Sequence, residues 1–105
     1  TQGGSKAVKE LEKEQKSRTT RMVRDYLDRA LLDIATLYRD ILLIQSNSPD
    51  SIINTDLISE MTKIAESTEA EATLAKLEAI MSARTNLSHN AAPLLTIEAL
   101  MVLLK

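Results

Sequence analysis

The 105-residue sequence has no cysteine, tryptophan or phenylalanine, and holds only two glycines, two prolines, two tyrosines and one histidine. Each scarcity removes a class of chemistry. Without cysteine there is neither a disulfide framework nor a thiolate metal site, which is compatible with a reducing compartment. Both glycines, Gly3 and Gly4, stand at the start, so no glycine-rich loop can cradle phosphates and ATP binding through a P-loop is excluded. His89 alone cannot supply a paired-histidine metal site or a convincing Ser-His-Asp arrangement, and it reads as a residue of an inter-helix loop. The carboxylates sit mostly beside basic partners at solvent-facing spacing, and no Glu-x-x-His pair of the di-iron kind occurs. The expectation is therefore no catalytic residue, no metal and no cofactor.

Nucleic acid and membrane are poorly served as well. Single-strand binding uses aromatic stacking platforms, and only Tyr26 and Tyr38 are available. They lie about three helical turns apart, so both can point into one seam between helices. Thr1 to Arg29 holds eight basic and five acidic residues, a thin excess for a nucleic-acid face, and the chain as a whole carries a net charge of -2. There is no signal peptide and no run of 18 or more apolar residues, so a soluble, cytoplasmic piece is expected, and Asn86-Leu87-Ser88 has the glycosylation spacing by chance.

What the sequence does have is a greasy end. Ala91 to Leu104 carries eight large apolar side chains and one charge, Glu98. Leaving all eight in water forfeits roughly 12–24 kcal/mol as an upper bound, which rivals the net stability of an ordinary domain. This last helix must be covered by the domain's own core or by another subunit.

Helical periodicity runs through the rest. Ser5 to about Gln45 reads as helix, first charged and then apolar. Glu12 and Lys16, Glu14 and Arg18, Arg21 and Asp25, Arg24 and Asp28, and Asp25 and Arg29 are spaced i,i+4, where opposite charges meet on a helix surface. From Met22 onward the apolar residues cover most of the circumference, leaving a thin polar stripe of Asp25, Arg29, Asp33, Thr36 and Asp40. Forty helical residues span ~60 Å, so a break near Ser17 to Thr20 or a projecting first half is expected. Asn47, Ser48, Pro49 and Asp50 then form a turn.

Asn54 is placed to cap a second helix ending near Glu66, with Ile53 and Ile58 as a hydrophobic staple and Leu57, Ile58, Met61 and Ile64 facing inward. Thr68 with Glu71 matches a capping box for a third helix, about Glu69 to Leu87, with Ala70, Leu74, Leu77, Ile80 or Met81, and Leu87 inward. Asn90 can cap the final helix, with Pro93 in its first turn. No strand-like alternation appears, and the fold class expected is all-α, a bundle of four to five helices. Thr1 in place of an initiator methionine, followed by Gln2 and the glycines, suggests a piece of a longer chain: residues 1–5 as a linker remnant and 6–105 as one helical domain.

The terminal series Asn90, Pro93, Leu94, Glu98-Ala99-Leu100 and Leu103 resembles the ending shared by the C-terminal collar domains of bacterial clamp-loader subunits. Upstream, Asp28-Arg29-Ala30-Leu31, Leu37-Tyr38-Arg39-Asp40-Ile41-Leu42, Ile53-Asn54-Thr55-Asp56-Leu57 and Glu71-Ala72-Thr73-Leu74 are similar to the delta-prime type of DNA polymerase III subunit. The resemblance covers residues 6–105. It implies a clamp-loader collar fold and a place in the pentamer that loads the sliding clamp during DNA replication, with the other clamp-loader subunits as partners. The nucleotide, arginine-finger and zinc elements of that family belong to its N-terminal AAA+ modules and match no position here. The implied role is oligomerisation rather than catalysis, with no direct nucleic acid contact and no small-molecule substrate. The gamma/tau collar shares the terminal pattern, and a rival from another class is an unrelated helical adaptor that binds one partner helix in a groove. The residues singled out for a subunit interface are Tyr26, Tyr38, Glu98 and Leu100.

Overall fold

The computed structural model describes residues 2–89 and 92–105, so the expected cap at Asn90 lies outside the described residues. Helix α1 spans Gln2–Gln45, α2 Ile58–Ser67, α3 Ala70–Ser88 and α4 Pro93–Leu103, with single 3-10 turns at Pro49–Ser51 and Thr55–Leu57. No strand occurs among the described residues, and the fold is an all-α bundle of four helices.

Of the two expectations for α1, the projecting first half is what forms. The helix is unbroken, and its 44 residues at about 1.5 Å each account for most of the molecule's 69 Å length. Residues 3–23 are all exposed, with the Glu14–Arg18 rung of the charge ladder closed at 3.1 Å. Thr20 Oγ1 donates to the Lys16 carbonyl at 2.9 Å, so the Ser/Thr cluster that suggested a break bonds back along the helix instead.

The second half of α1 is the spine of the bundle, packing on α3 and α2, while α4 lies mainly against α3. Two apolar clusters form along it. One joins Leu31 and Ala35 to Ile80, Ala83, Leu87 and Leu100; the other joins Ile41 to Met61 and Ala65. The half-buried Tyr38 packs against both.

At its C-terminus α1 ends in a Schellman motif. Asn47 takes a positive φ of 58°, its N–H donates to the Ile44 carbonyl at 3.1 Å, and the Ser48 N–H reaches the Leu43 carbonyl at 2.9 Å. Asparagine tolerates this left-handed conformation better than other residues with a Cβ, which is why the helix stops here.

Several sequence expectations change. Asp40, assigned to the polar stripe, is fully buried. Its carboxylate accepts from the Ile53 N–H at 3.1 Å on both oxygens, and from the Asn54 N–H and side-chain amide at 2.8 Å each. Asn54 is thus spent on Asp40 and makes no side-chain cap bond, and α2 starts one 3-10 turn later. Ile53 and Ile58 both stay largely exposed, so neither residue of the expected staple enters the core.

The Thr68–Glu71 box does not form either. Glu69 is the N-cap of α3 without a side-chain cap bond, because the Thr68 hydroxyl donates to the Ile64 carbonyl at 2.8 Å and accepts from Gln45 Nε2 at 3.0 Å. Inward-facing positions shift as well. In α2 they are Met61 and Ala65, with Leu57, Ile58 and Ile64 exposed; in α3 they are Thr73, Ile80, Ala83 and Leu87, with Leu74 and Met81 exposed. The sequence stripe favoured large residues, and the small Ala65, Thr73 and Ala83 are buried in place of some of them.

Candidate subunit interface

Helix α4 shows one side to the bundle and the other to solvent. Thr96 and Leu100 are buried, and Ile97 and Leu104 pack partly beneath them against the α1–α3 cluster. The Thr96 hydroxyl returns to the Ala92 carbonyl at 3.0 Å, so its burial leaves no orphan. Opposite them, Leu94, Leu95, Met101, Val102 and Leu103 are 62–69% exposed. The helix that sequence composition required to be covered is covered on one side only.

The reason is geometric. A helix of eleven residues with a single charge is apolar all round, and a bundle that packs it against one neighbour buries one stripe. At about 1.5–3 kcal/mol for full burial of each side chain, the five outer residues leave several kcal/mol of unused hydrophobic free energy on this surface.

Glu98 lies on the exposed side. Leu100 lies on the core side at 4% exposure, so it supports the outer face from beneath. Tyr26 projects from α1 at 75% exposure, near the exposed Met22 and Val23, while Tyr38 sits half-buried at the junction of the two clusters. The four candidate residues therefore occupy different places: Tyr26 and Glu98 on the surface, Tyr38 and Leu100 within the bundle. Sequence reasoning did not separate Glu98 from Leu100, because an apolar helix gives no period from which to tell its two sides, and the single seam expected for both tyrosines holds only Tyr38, since Tyr26 stands in solvent.

A groove of about 580 Å³ runs between α1 and α3, lined by Arg21, Arg24, Asp25, Asp28, Met81 and Arg84 among others. Its floor is a two-pronged ion pair in which Arg84 Nε and Nη2 donate to the Asp28 carboxylate at 2.9 and 3.2 Å. That hydrogen bonding, with the accompanying charge attraction, outweighs desolvation, holding Asp28 below the usual carboxylate range and raising Arg84 further. Spacing along the helix had matched Asp28 with Arg24; the tertiary partner on α3 was invisible to it.

The buried Asp40 is the other perturbed carboxyl. Desolvation pushes it up, but the bonds from Asn54 and Ile53 and the charge of Arg39, 3.5 Å away, together bring it below its ordinary value. It is the polar group that sequence reasoning missed, and its signal was position: it stands between Leu37-Tyr38 and Ile41-Leu42, inside the apolar run. Its partners lock the 52–54 loop to α1, a structural task. No group of three or more His, Cys, Asp or Glu side chains able to hold a metal occurs among the described residues, and no described helix is long and apolar enough to cross a membrane.

A family model described as "DNA polymerase III, delta subunit, C terminal" matches residues 9–104, nearly the whole chain and every helix of the bundle. No curated protein and no solved structure matches it.

Proposed function

Since the chain belongs to the family of C-terminal domains of the DNA polymerase III delta subunit, a clamp-loader family, we propose that it is the collar domain of a delta-prime subunit, holding that subunit in the pentamer that loads the sliding clamp. The observation that carries the assembly role is the uncovered outer side of α4, where five large apolar side chains stay in water. Surfaces of this kind mark a contact with another protein. The finer assignment to delta-prime is supported by the Asp28-Arg29-Ala30-Leu31 and Ile53-Asn54-Thr55-Asp56-Leu57 segments, which resemble that subunit. In the structure these same segments hold the Asp28–Arg84 pair and the loop clasped by Asp40.

In this reading the domain contributes contact area and no chemistry. It binds no nucleotide and no metal, touches no nucleic acid directly, and works in the cytoplasm beside the other clamp-loader subunits. Nucleotide turnover and DNA contacts belong to AAA+ modules elsewhere in the complex.

Two experiments test the proposal. The 105-residue chain, mixed with purified clamp-loader ATPase subunits, is expected to co-elute with them in gel filtration, and Val102→Asp to prevent this while leaving the helical circular dichroism intact. Failure of the wild-type chain to bind any of the clamp-loader subunits overturns the assembly role. Reading the gene upstream of Thr1 tests the finer assignment: AAA+ modules with a degenerate phosphate loop are expected, and an intact phosphate loop moves the domain to gamma/tau.

A further inference from the structure

Glu98 sits at the centre of the exposed face. Its four neighbours on the helix surface, at i−4, i−3, i+3 and i+4, are Leu94, Leu95, Met101 and Val102, and all four are among the exposed apolar residues. A lone carboxylate is thus ringed by apolar side chains. Among the described residues it makes no hydrogen bond or ion pair, and no basic residue lies within four positions of it on α4. The arginine of α3 nearest in sequence, Arg84, is committed to Asp28.

Any partner that covers the ring also takes water from the carboxylate. Burying a carboxylate without a counter-charge costs more than the burial of a neighbouring leucine returns, so the face is selective as well as sticky. The chemistry that offsets the cost is a guanidinium or ammonium placed opposite, with an apolar surround to match the ring. A second copy of this chain does not offer that when it pairs through the same face, which has no basic residue. Two copies pairing about a two-fold axis through the patch would bring Glu98 against Glu98, like charges in a drying interface.

We infer that the outer face of α4 docks on a helix of another clamp-loader subunit whose own apolar face carries one central arginine or lysine paired with Glu98, and that the same carboxylate prevents this chain from pairing with itself. The inference rests on the assembly role proposed above and adds to it the chemical identity of the partner surface. It makes Glu98 the specificity element, with the leucines, methionine and valine around it supplying adhesion.

The test uses the 105-residue chain and purified clamp-loader ATPase subunits, with three variants at exposed positions: Glu98→Gln, Glu98→Lys and Val102→Asp. Circular dichroism verifies that each keeps its helix content. In a titration followed by fluorescence anisotropy, Glu98→Lys is expected to bind at least tenfold more weakly than wild type and Val102→Asp not measurably. Reversing the charge of the partner residue opposite should restore Glu98→Lys. In sedimentation, the wild-type chain is expected to be a monomer and Glu98→Gln to self-associate, an association that Val102→Asp removes. Wild-type affinity in Glu98→Lys alongside lost binding in Val102→Asp overturns the pairing and leaves the assembly role standing. Undiminished binding in Val102→Asp overturns the α4 face for both, as does a wild-type dimer that Val102→Asp dissolves.

Discussion

Asp40 and Asn54, fourteen residues apart, meet through two bonds of equal length: the backbone N–H and the side-chain amide of Asn54 each donate to Asp40 Oδ2 at 2.8 Å. The first anchors the chain and the second orients the asparagine. Together they hold the irregular 52–54 segment against α1, where no regular element could satisfy its backbone.

Removing that carboxylate should be costly. Asp40→Ala is expected to lose about 2–3 kcal/mol, because charge-assisted bonds vanish and the Ile53 and Asn54 donors are left without their acceptor. Asp40→Asn should recover only part, since its amide presents donors to donors. Urea unfolding at pH 7 reads both; a change below about 0.5 kcal/mol in Asp40→Ala would contradict the account.

Acid should unmake the same contacts. Asp28 and Asp40 both have folded-state pKa values below their unfolded ones. The stability they contribute is complete above the unfolded carboxylate value of about 4 and fades as pH falls through the lower folded values. The melting temperature is expected to be level between about pH 5 and 7 and to drop below about pH 4, with a shallower drop in Asp40→Asn. Thermal scans across that range decide it.

The two sides of α4 should answer mutation differently. Leu100→Ala removes a buried side chain from the α1–α3–α4 cluster and is expected to cost about 2–5 kcal/mol. Val102→Ala, on the outer side, should stay within about 0.5 kcal/mol. Equal losses would mean that the outer side is packed in solution.

The projecting half of α1 should behave as a rod attached to the bundle. Deleting residues 1–20 is expected to change the unfolding free energy by less than about 0.5 kcal/mol, since residues 3–20 are exposed along their whole length. Their amide hydrogens should exchange far faster than those of Leu31 to Ile41. Strong protection there would reveal a contact on that half.

The fold class, the four helices and the turn at Asn47 were legible because periodicity and turn chemistry are local. The caps at Asn54 and Thr68 were misread for the opposite reason: each side chain had a local use, and a tertiary partner, Asp40 in one case and Gln45 in the other, took it. Likewise the pattern of large residues pointed to Leu74 and Ile64, which are exposed, whereas Ala65 and Ala83 are buried at the helix contacts, a choice that side-chain size alone does not reveal. On α4, sequence supplied the apolar helix and its single charge, and only the packing places Glu98 and Val102 outside and Leu100 within.

The ring of Tyr38 touches both apolar clusters, which otherwise draw on different residues of the chain. One cluster joins α1 to α3 and α4 and the other joins α1 to α2, so this side chain packs across the junction of the two along their shared helix. Whatever displaces that ring disturbs both ends of the bundle at once.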